Sequence, residues 1–205
     1  MKHLALAAAL LLPPAPALAQ AGFDGVDLAK TVTYYVGEGE PRAGFREGDR
    51  QLAEWAVAAW ANRAEPRAQT AAAPEATAAV RIYWVQASDG LFGEMRVRRL
   101  GDGFSVDVYV NADTDGLGAN LAGRARSDPL FRDTLVFLTC VHELGHAFGL
   151  EHTDAFADIM YSFQYGGDFL AYFMRFRDQL KTRADIPKAS PFSAGDLAAL
   201  RAVRR

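Results

Sequence analysis

Alternating apolar and polar positions predict several short strands. Residues 30–36 and 80–86 are rich in β-branched and aromatic side chains, residues 93–99 are a further predicted strand, and residues 104–111 place an apolar side chain at every second position. Such alternation is typical of a strand with one buried face. The sequence GDG at 101–103 separates the last two segments, so we expect a hairpin turn between two antiparallel neighbours.

Apolar residues at helical spacing predict four helices, over residues 49–63, 129–148, 168–182 and 193–205. Each begins with a residue type that caps helices well, namely Asp49, Asp128, Asp168 and Ser193. Pro129 suits the first position of the second helix, and Gly149 predicts its end.

Two longer stretches lack this periodicity and predict surface loops. Residues 64–79 are rich in alanine and proline, and residues 112–128 are polar and rich in glycine. We find no internal repeat and no second domain. Residues 20–205 are therefore predicted to form a single domain.

The first 19 residues predict a secretory signal peptide. Lys2 precedes an apolar run over residues 4–12, and Ala17 and Ala19 form an A-x-A cleavage signal. The apolar run is well short of the roughly 20 residues that span a bilayer. We therefore expect export, to an extracellular or periplasmic location, with cleavage near Ala19.

Charge and cysteine content narrow the function classes. The net charge is −3, and no basic stripe stands out, which argues against nucleic-acid binding. Cys140 is the single cysteine of the chain, so no disulfide within the domain can support it. Its place inside a predicted helix favours a small core residue.

One stretch concentrates the candidate chemistry. The sequence HELGHAFGLEH, residues 142–152, holds every histidine beyond the predicted signal peptide. His142 and His146 lie one helical turn apart on the same face. Gly149 can adopt a left-handed conformation that turns the chain and brings His152 back to the same site. Three imidazoles with one open position describe a catalytic zinc site.

Glu143, beside the first histidine, is the candidate general base. A bound zinc ion would lower the pKa of its water to about 7 and polarise a scissile carbonyl. Glu143 would accept the water proton and pass it to the leaving amine. Two alternatives are surface histidines without a metal and a structural zinc site. The complete motif argues against the first, and the absence of an obvious fourth protein ligand argues against the second.

The motif resembles the metzincin signature H-E-x-x-H-x-x-G-x-x-H, which is paired with a downstream methionine turn. Met160, in the sequence DIMYS, follows His152 by eight residues and is the candidate methionine. This short spacing and the IMY sequence resemble the matrixin branch, the matrix-metalloprotease-like family. The resemblance implies that Met160 is a hydrophobic floor beneath the zinc; an ordinary core methionine is the alternative.

The resemblance covers most of residues 28–162 and implies an α+β (α/β-like) zincin fold. Such a fold has a twisted, mostly parallel sheet with one antiparallel edge strand, an active-site helix and a C-terminal helix. The edge strand corresponds to residues 93–99, where the family binds extended peptides by strand addition. An edge blunted by Arg96, Arg98 and Arg99 is compatible with that role.

The chain departs from the matrixin pattern just after the methionine. Ser162 stands where proline is usual, and Gln164 stands where an aromatic residue usually walls the primed-side specificity pocket. Phe163 and Tyr165 are the alternative wall residues.

Two further features lie outside the shared pattern. The helix predicted over residues 168–182 is an insertion relative to a minimal matrixin, and its aromatic stripe is interpreted as core, with a substrate lid as the alternative. Asp113 and Asp115 offer oxygen ligands for a calcium ion, although a solvated turn is favoured because the full calcium-loop spacing is missing.

Together these observations predict a secreted, monomeric, zinc-dependent metalloendopeptidase acting on peptides or proteins. A non-catalytic, zinc-bearing peptide-binding module on the same fold is the rival from another class, and the intact Glu143 argues against it. A zinc amidohydrolase acting on a non-protein amide is a second alternative, which zinc chemistry alone does not exclude.

Overall fold

The computed structural model describes residues 23–86, 92–101 and 103–203. This part of the chain contains a five-stranded sheet of β1 (Val32–Val36), β2 (Thr70–Ala72), β3 (Val80–Trp84), β4 (Gly93–Leu100) and β5 (Gly103–Val110). The strand order is β2-β1-β3-β5-β4. All neighbours are parallel except β4 and β5, which are antiparallel. The predicted α+β class, with a mostly parallel sheet and one antiparallel edge strand, is confirmed.

The helices are α1 (Asp49–Ala61), α2 (Ala119–Ser127), α3 (Pro129–Ala147), α4 (Phe169–Arg177) and α5 (Ala194–Ala202). Helices α1 and α3 pack against each other and against the sheet. At their interface the buried indole N–H of Trp60 donates to the carbonyl of Val141, at 2.8 Å. The hydrophobic core therefore surrounds α3 and holds it rigidly in place.

Three predicted helix starts are confirmed by their capping bonds. The side chains of Asp128, Asp168 and Ser193 each accept a hydrogen bond from the backbone N–H three residues later. Gly149 ends α3 with a φ of +89°, a conformation that a glycine adopts without strain. Helix α4 is shorter than the predicted range of 168–182. It ends at Arg177.

The prediction that Asp49 caps α1 is wrong. Gly48 precedes the helix and Asp49 is its first residue. The carboxylate of Asp49 is buried and forms an ion pair with Arg132 of α3. Arg132 also donates to the carbonyls of Gly44 and Ala112, at 2.8 and 3.1 Å. This long-range pair, which helix periodicity cannot reveal, ties the start of α1 to α3.

Both predicted loops contain regular structure, so these two predictions are wrong. Strand β2 lies within residues 64–79 because its backbone pairs with the edge of β1; main-chain pairing of this kind needs no apolar alternation. Helix α2 lies within residues 112–128 and buries Leu121, Ala122 and Ala125. Two of these three residues are alanines, so the apolar periodicity of the helix is weak in the sequence.

The polar face of β5 is more deeply buried than its alternation predicts. Ser105 and Asp107 are buried there. Asp107 pairs with Arg81 at 2.7 Å and with Arg98 at 3.2 Å, and Arg81 also donates to Ser105 at 2.9 Å. Paired charges and hydrogen bonds make such burial tolerable.

The predicted signal peptide, residues 1–19, lies outside the described residues, as does Asp102 of the hairpin turn. Within the described part of the chain, no helix combines the length and the apolar character needed to cross a membrane.

Candidate active site

The structure brings the three histidines of the motif together. His142 and His146 project from the last turns of α3, and the turn at Gly149 returns the chain so that His152 faces them. The Nε2 atom of His152 lies 3.2 Å from the Nε2 atoms of both His142 and His146. Among the described residues, these side chains form the one group of three or more potential metal ligands.

Backbone carbonyls set the tautomers of the two helical histidines. The carbonyl of Ile159 lies 2.7 Å from Nδ1 of His142, and the carbonyl of Leu150 lies 2.8 Å from Nδ1 of His146. A carbonyl only accepts hydrogen bonds, so each Nδ1 carries the proton and each Nε2 keeps its lone pair. Orientation of metal-binding imidazoles by such bonds is common in zinc sites.

The surroundings also keep the imidazoles uncharged. Burial, with repulsion between neighbouring imidazoles, lowers the pKa of His142 to about 3 and that of His146 to about 4. Burial lowers the pKa of His152 as well. Metal ions bind the neutral form of histidine, so the site is poised for a cation at neutral pH.

The donor set fits a zinc ion. Tetrahedral zinc holds nitrogen ligands at about 2.0–2.1 Å and therefore roughly 3.3 Å from one another. The separations of 3.2 Å between Nε2 atoms match this requirement. Three protein ligands leave a fourth position open, as in catalytic zinc sites.

Glu143 lies in the space between the metal centre and the sheet edge. Its side chain is 7% exposed. Burial, with a smaller repulsion from Glu94, raises its pKa to about 8. A Cβ atom on Gly93, the first residue of β4, would lie 2.6 Å from both Cγ and Oε1 of Glu143. The missing side chain at Gly93 therefore lets the edge strand begin directly against this carboxylate, a relation that the sequence does not reveal.

Met160 lies beneath the histidines and is buried. A Cβ atom on Gly145 of α3 would collide with the sulfur of Met160. The glycine between the two helical histidines thus makes room for the methionine. Such packing is expected of the apolar floor that the sequence predicts, and the role of Met160 stays a prediction.

Sequence reasoning missed Asp196, which supports the floor from α5. Its buried carboxylate accepts hydrogen bonds from the backbone N–H of Ile159 at 2.9 Å and of Met160 at 3.3 Å. Burial raises its pKa, although these hydrogen bonds oppose the rise. Asp196 also forms a capping box with Ser193. The spacing of these two residues could have flagged the helix start, but not the contact with residues 159 and 160.

Helix α4 supports the same turn from another side. The hydroxyl of Tyr172 donates to the carbonyl of Ile159 at 3.0 Å, the same carbonyl that accepts from His142. Tyr172, Phe173 and Phe176 are buried. The prediction that this aromatic stripe belongs to the core is therefore confirmed for these residues.

The aromatic residues after the methionine have different environments. Phe163 is half-buried and stacks on Phe169 with ring centroids 3.7 Å apart. Tyr165 is 58% exposed, and Gln164 is exposed. Of the two alternative wall residues, Phe163 is thus the one that packs into the structure.

The two candidate calcium ligands are engaged within the protein. Asp115 forms an ion pair with Arg126 at 2.6 Å, and Asp113 accepts from the backbone N–H of Asp115 at 2.9 Å. The calcium hypothesis gains no support from this geometry, and the solvated turn remains the favoured interpretation.

The fold, the histidine cluster and the carboxylate beside it are typical of zinc hydrolases. The chain matches the model of the matrixin family, Peptidase_M10, over residues 28–168. The match covers more than half of the chain, so this protein belongs to the matrixin family, and the resemblance seen in its sequence is confirmed. Matrixins are zinc metalloproteases that act on peptide substrates. A comparison with curated proteins found no match.

Proposed function

We propose that the chain is a secreted zinc metalloendopeptidase in which His142, His146 and His152 hold the catalytic zinc and Glu143 moves the proton. One observation carries this proposal. The Nε2 atom of His152 lies 3.2 Å from those of His142 and His146, beside a buried carboxylate that lies against the start of the edge strand β4. That arrangement supports a site at which a metal, a general base and a substrate strand would meet.

Bound zinc would supply polarisation of the scissile carbonyl and a water of lowered pKa. Glu143 accepts the proton of that water and later donates it to the nitrogen of the leaving amine. Burial suits both roles, because it keeps bulk water from competing for the proton.

Strand β4 provides the substrate platform in this proposal. Among the described residues it is the outer strand of the sheet, so one row of its backbone donors and acceptors can pair with an extended peptide. The start of β4 lies against Glu143, so a peptide paired with this strand would pass directly over the base.

Met160 and the carbonyl of Ile159 act as positioning groups. The methionine fills the space under the imidazoles, and the carbonyl holds Nδ1 of His142 at 2.7 Å. Fixing the ring in this way pre-orients Nε2 toward the metal and avoids an entropic cost on binding.

Export and domain organisation are part of the same proposal. Cleavage near Ala19 would release a single monomeric domain, residues 20–205. The protein is expressed with its native N-terminus. N-terminal sequencing of the exported protein tests export and cleavage near Ala19, and its mass in solution tests the monomeric state. Retention of residues 1–19 in the exported protein would contradict the signal-peptide assignment.

The activity itself is tested with a diverse peptide library and two matched variants. Glu143→Gln should retain zinc and lose about 10²–10⁴-fold in kcat, the usual range for a general base. Glu151→Gln removes an exposed acid from the same motif and should cleave normally. Chelator should abolish cleavage, and added zinc should restore it.

The outcomes separate the rival functions. Zinc binding without cleavage of any peptide would indicate the non-catalytic binding module. Turnover of small non-protein amides without peptide cleavage would indicate the amidohydrolase. Full cleavage by Glu143→Gln would remove Glu143 from the mechanism while leaving the family assignment intact.

A further inference from the structure

Three phenylalanine rings form a continuous stack at one end of the candidate active site. The rings of Phe92 and Phe169 have centroids 6.1 Å apart and an interplanar angle of 23°. The rings of Phe169 and Phe163 lie 3.7 Å apart at 9°. We call Phe92, Phe169 and Phe163 the aromatic bridge.

The aromatic bridge joins the two sides of the site. Phe92 immediately precedes Gly93, which touches Glu143, and its carbonyl accepts a hydrogen bond from Asn111 that extends the pairing of β4 with β5. Phe163 follows the turn that contains Met160. Phe169, the first residue of α4, lies between the two rings. The bridge therefore connects the sheet edge to the segment below the metal centre.

Ion pairs and aromatic packing hold the bridge in place. Helix α4 is attached to α3 by the stacked rings of Phe176 and Phe137, 5.3 Å apart. The guanidinium of Arg177 binds Asp128, the cap of α3, at 2.9 Å. Together with the Tyr172 hydrogen bond to the Ile159 carbonyl, these contacts make α4 a fixed part of the domain.

The rings of the bridge are more exposed to solvent than the residues of the buried core. Phe92 is 37% exposed, and the rings of Phe163 and Phe169 are half-buried. The stack is thus partly accessible from solvent. Phe169 lies just beyond residue 168, where the match to the matrixin family ends, so the central ring comes from outside the matched segment.

We propose that the aromatic bridge is an end wall that selects peptides whose scissile bond lies close to one chain end. This proposal rests on the proposed peptidase function. A peptide paired with β4 advances about 3.3 Å per residue, so it would meet the ring of Phe92 within about two residues of the Glu143–Gly93 contact. A longer tail in that direction would have to displace stacked rings.

A tail-length series tests the wall. One cleavable sequence from the peptide library is extended by Gly/Ser tails of increasing length, on its N-terminal or its C-terminal side, and kcat/KM is measured with the zinc-loaded protein. We expect tails on one side to lower kcat/KM by about tenfold or more, and tails on the other side to have little effect.

Three variants identify the rings responsible. Phe92→Ala removes the exposed ring, and Phe169→Leu removes the central ring while keeping an apolar side chain in the helix. Both should abolish most of the tail penalty and leave cleavage of the short peptide nearly unchanged. Phe156→Ala is the matched control, because Phe156 packs on Tyr161 and Tyr172 outside the bridge; it should keep the penalty. Thermal unfolding confirms that each variant is folded.

Two results would overturn the end wall. One is equal cleavage of peptides with long tails on both sides by the unmodified protein. The other is a tail penalty that persists in folded Phe92→Ala and Phe169→Leu. Failure of the proposed function would look different, because no peptide of any length would then show chelator-sensitive cleavage.

Discussion

The two halves of the proposed metal centre are built in different ways. His142, Glu143 and His146 lie on α3, so their spacing follows from one turn of helix. His152 and Met160 lie on irregular chain, where the turn at Gly149 and hydrogen bonds from a distant side chain, Asp196, decide their positions. The helix side is therefore defined by local geometry, and the loop side by tertiary contacts. Variants on the two sides should accordingly fail in different ways.

Metal removal should give the largest effect. Its structural consequences should also differ between the helix side and the loop side of the site. Chelation should abolish cleavage and lower the melting temperature, because a ligand at 100 times its Kd stabilises the folded state by about 2.7 kcal/mol. Hydrogen exchange should accelerate in residues 150–165 while α3 stays protected within the core. Equal acceleration in α3 would contradict the contrast between the sides, and added zinc should reverse both changes.

Gly93→Ala should impair catalysis by displacing Glu143, which lies on the helix side of the site. Zinc should remain bound. The new Cβ would lie 2.6 Å from the Glu143 carboxylate, so the base must move, and we expect kcat to fall by about 10²-fold. Gly103→Ala is the matched control, because Gly103 also begins a strand and its Cβ would approach only the Leu100 carbonyl, at 3.7 Å. A drop in zinc content with kcat per bound zinc unchanged would refute this expectation.

Gly149→Ala should weaken zinc binding from the loop side. Its φ of +89° costs a non-glycine residue about 1–2 kcal/mol, and a Cβ would lie 2.7 Å from the carbonyl oxygen of Asp24. If His152 moves to relieve this strain, we expect zinc affinity to fall by about 100-fold, equivalent to about 2.7 kcal/mol. Competition with a chelator of known affinity measures the change.

Gly123→Ala provides the comparison for that measurement. Gly123 lies in α2, and the methyl group that alanine would add there has no neighbour within 4 Å beyond the helix's own backbone. Alanine at this position should therefore leave zinc affinity unchanged. Unaltered zinc affinity in Gly149→Ala would show that the turn does not position the third ligand.

Asp196→Ala should give a smaller loss, because it acts through the backbone of residues 159 and 160. The variant leaves buried N–H groups without their acceptor, which costs about 1–3 kcal/mol of unfolding free energy. Zinc affinity should fall by about tenfold, as for other groups that orient ligands. Denaturant unfolding and zinc competition measure the two effects, with the exposed Asp178→Ala as control. A stability loss without any change in zinc affinity would restrict Asp196 to a structural role.

Much of the helix side could be predicted from the sequence. The spacing of His142 and His146, the cap at Asp128 and the stop at Gly149 are short-range features, each decided within a few residues of chain. The alternation in residues 104–111 and the GDG turn similarly predicted the antiparallel edge. Where short-range signals were weak, as in β2 and α2, the prediction was a loop and the structure differs.

The sequence by itself determined the chemistry: three imidazoles, one carboxylate and one methionine at spacings that a helix and a turn can bring together. Only the tertiary structure decided what surrounds them. Gly93 against Glu143, Asp196 beneath Ile159 and the aromatic bridge each join residues far apart in the chain. Such contacts depend on how helices pack on a sheet, and packing is set by the whole core rather than by any short stretch of residues.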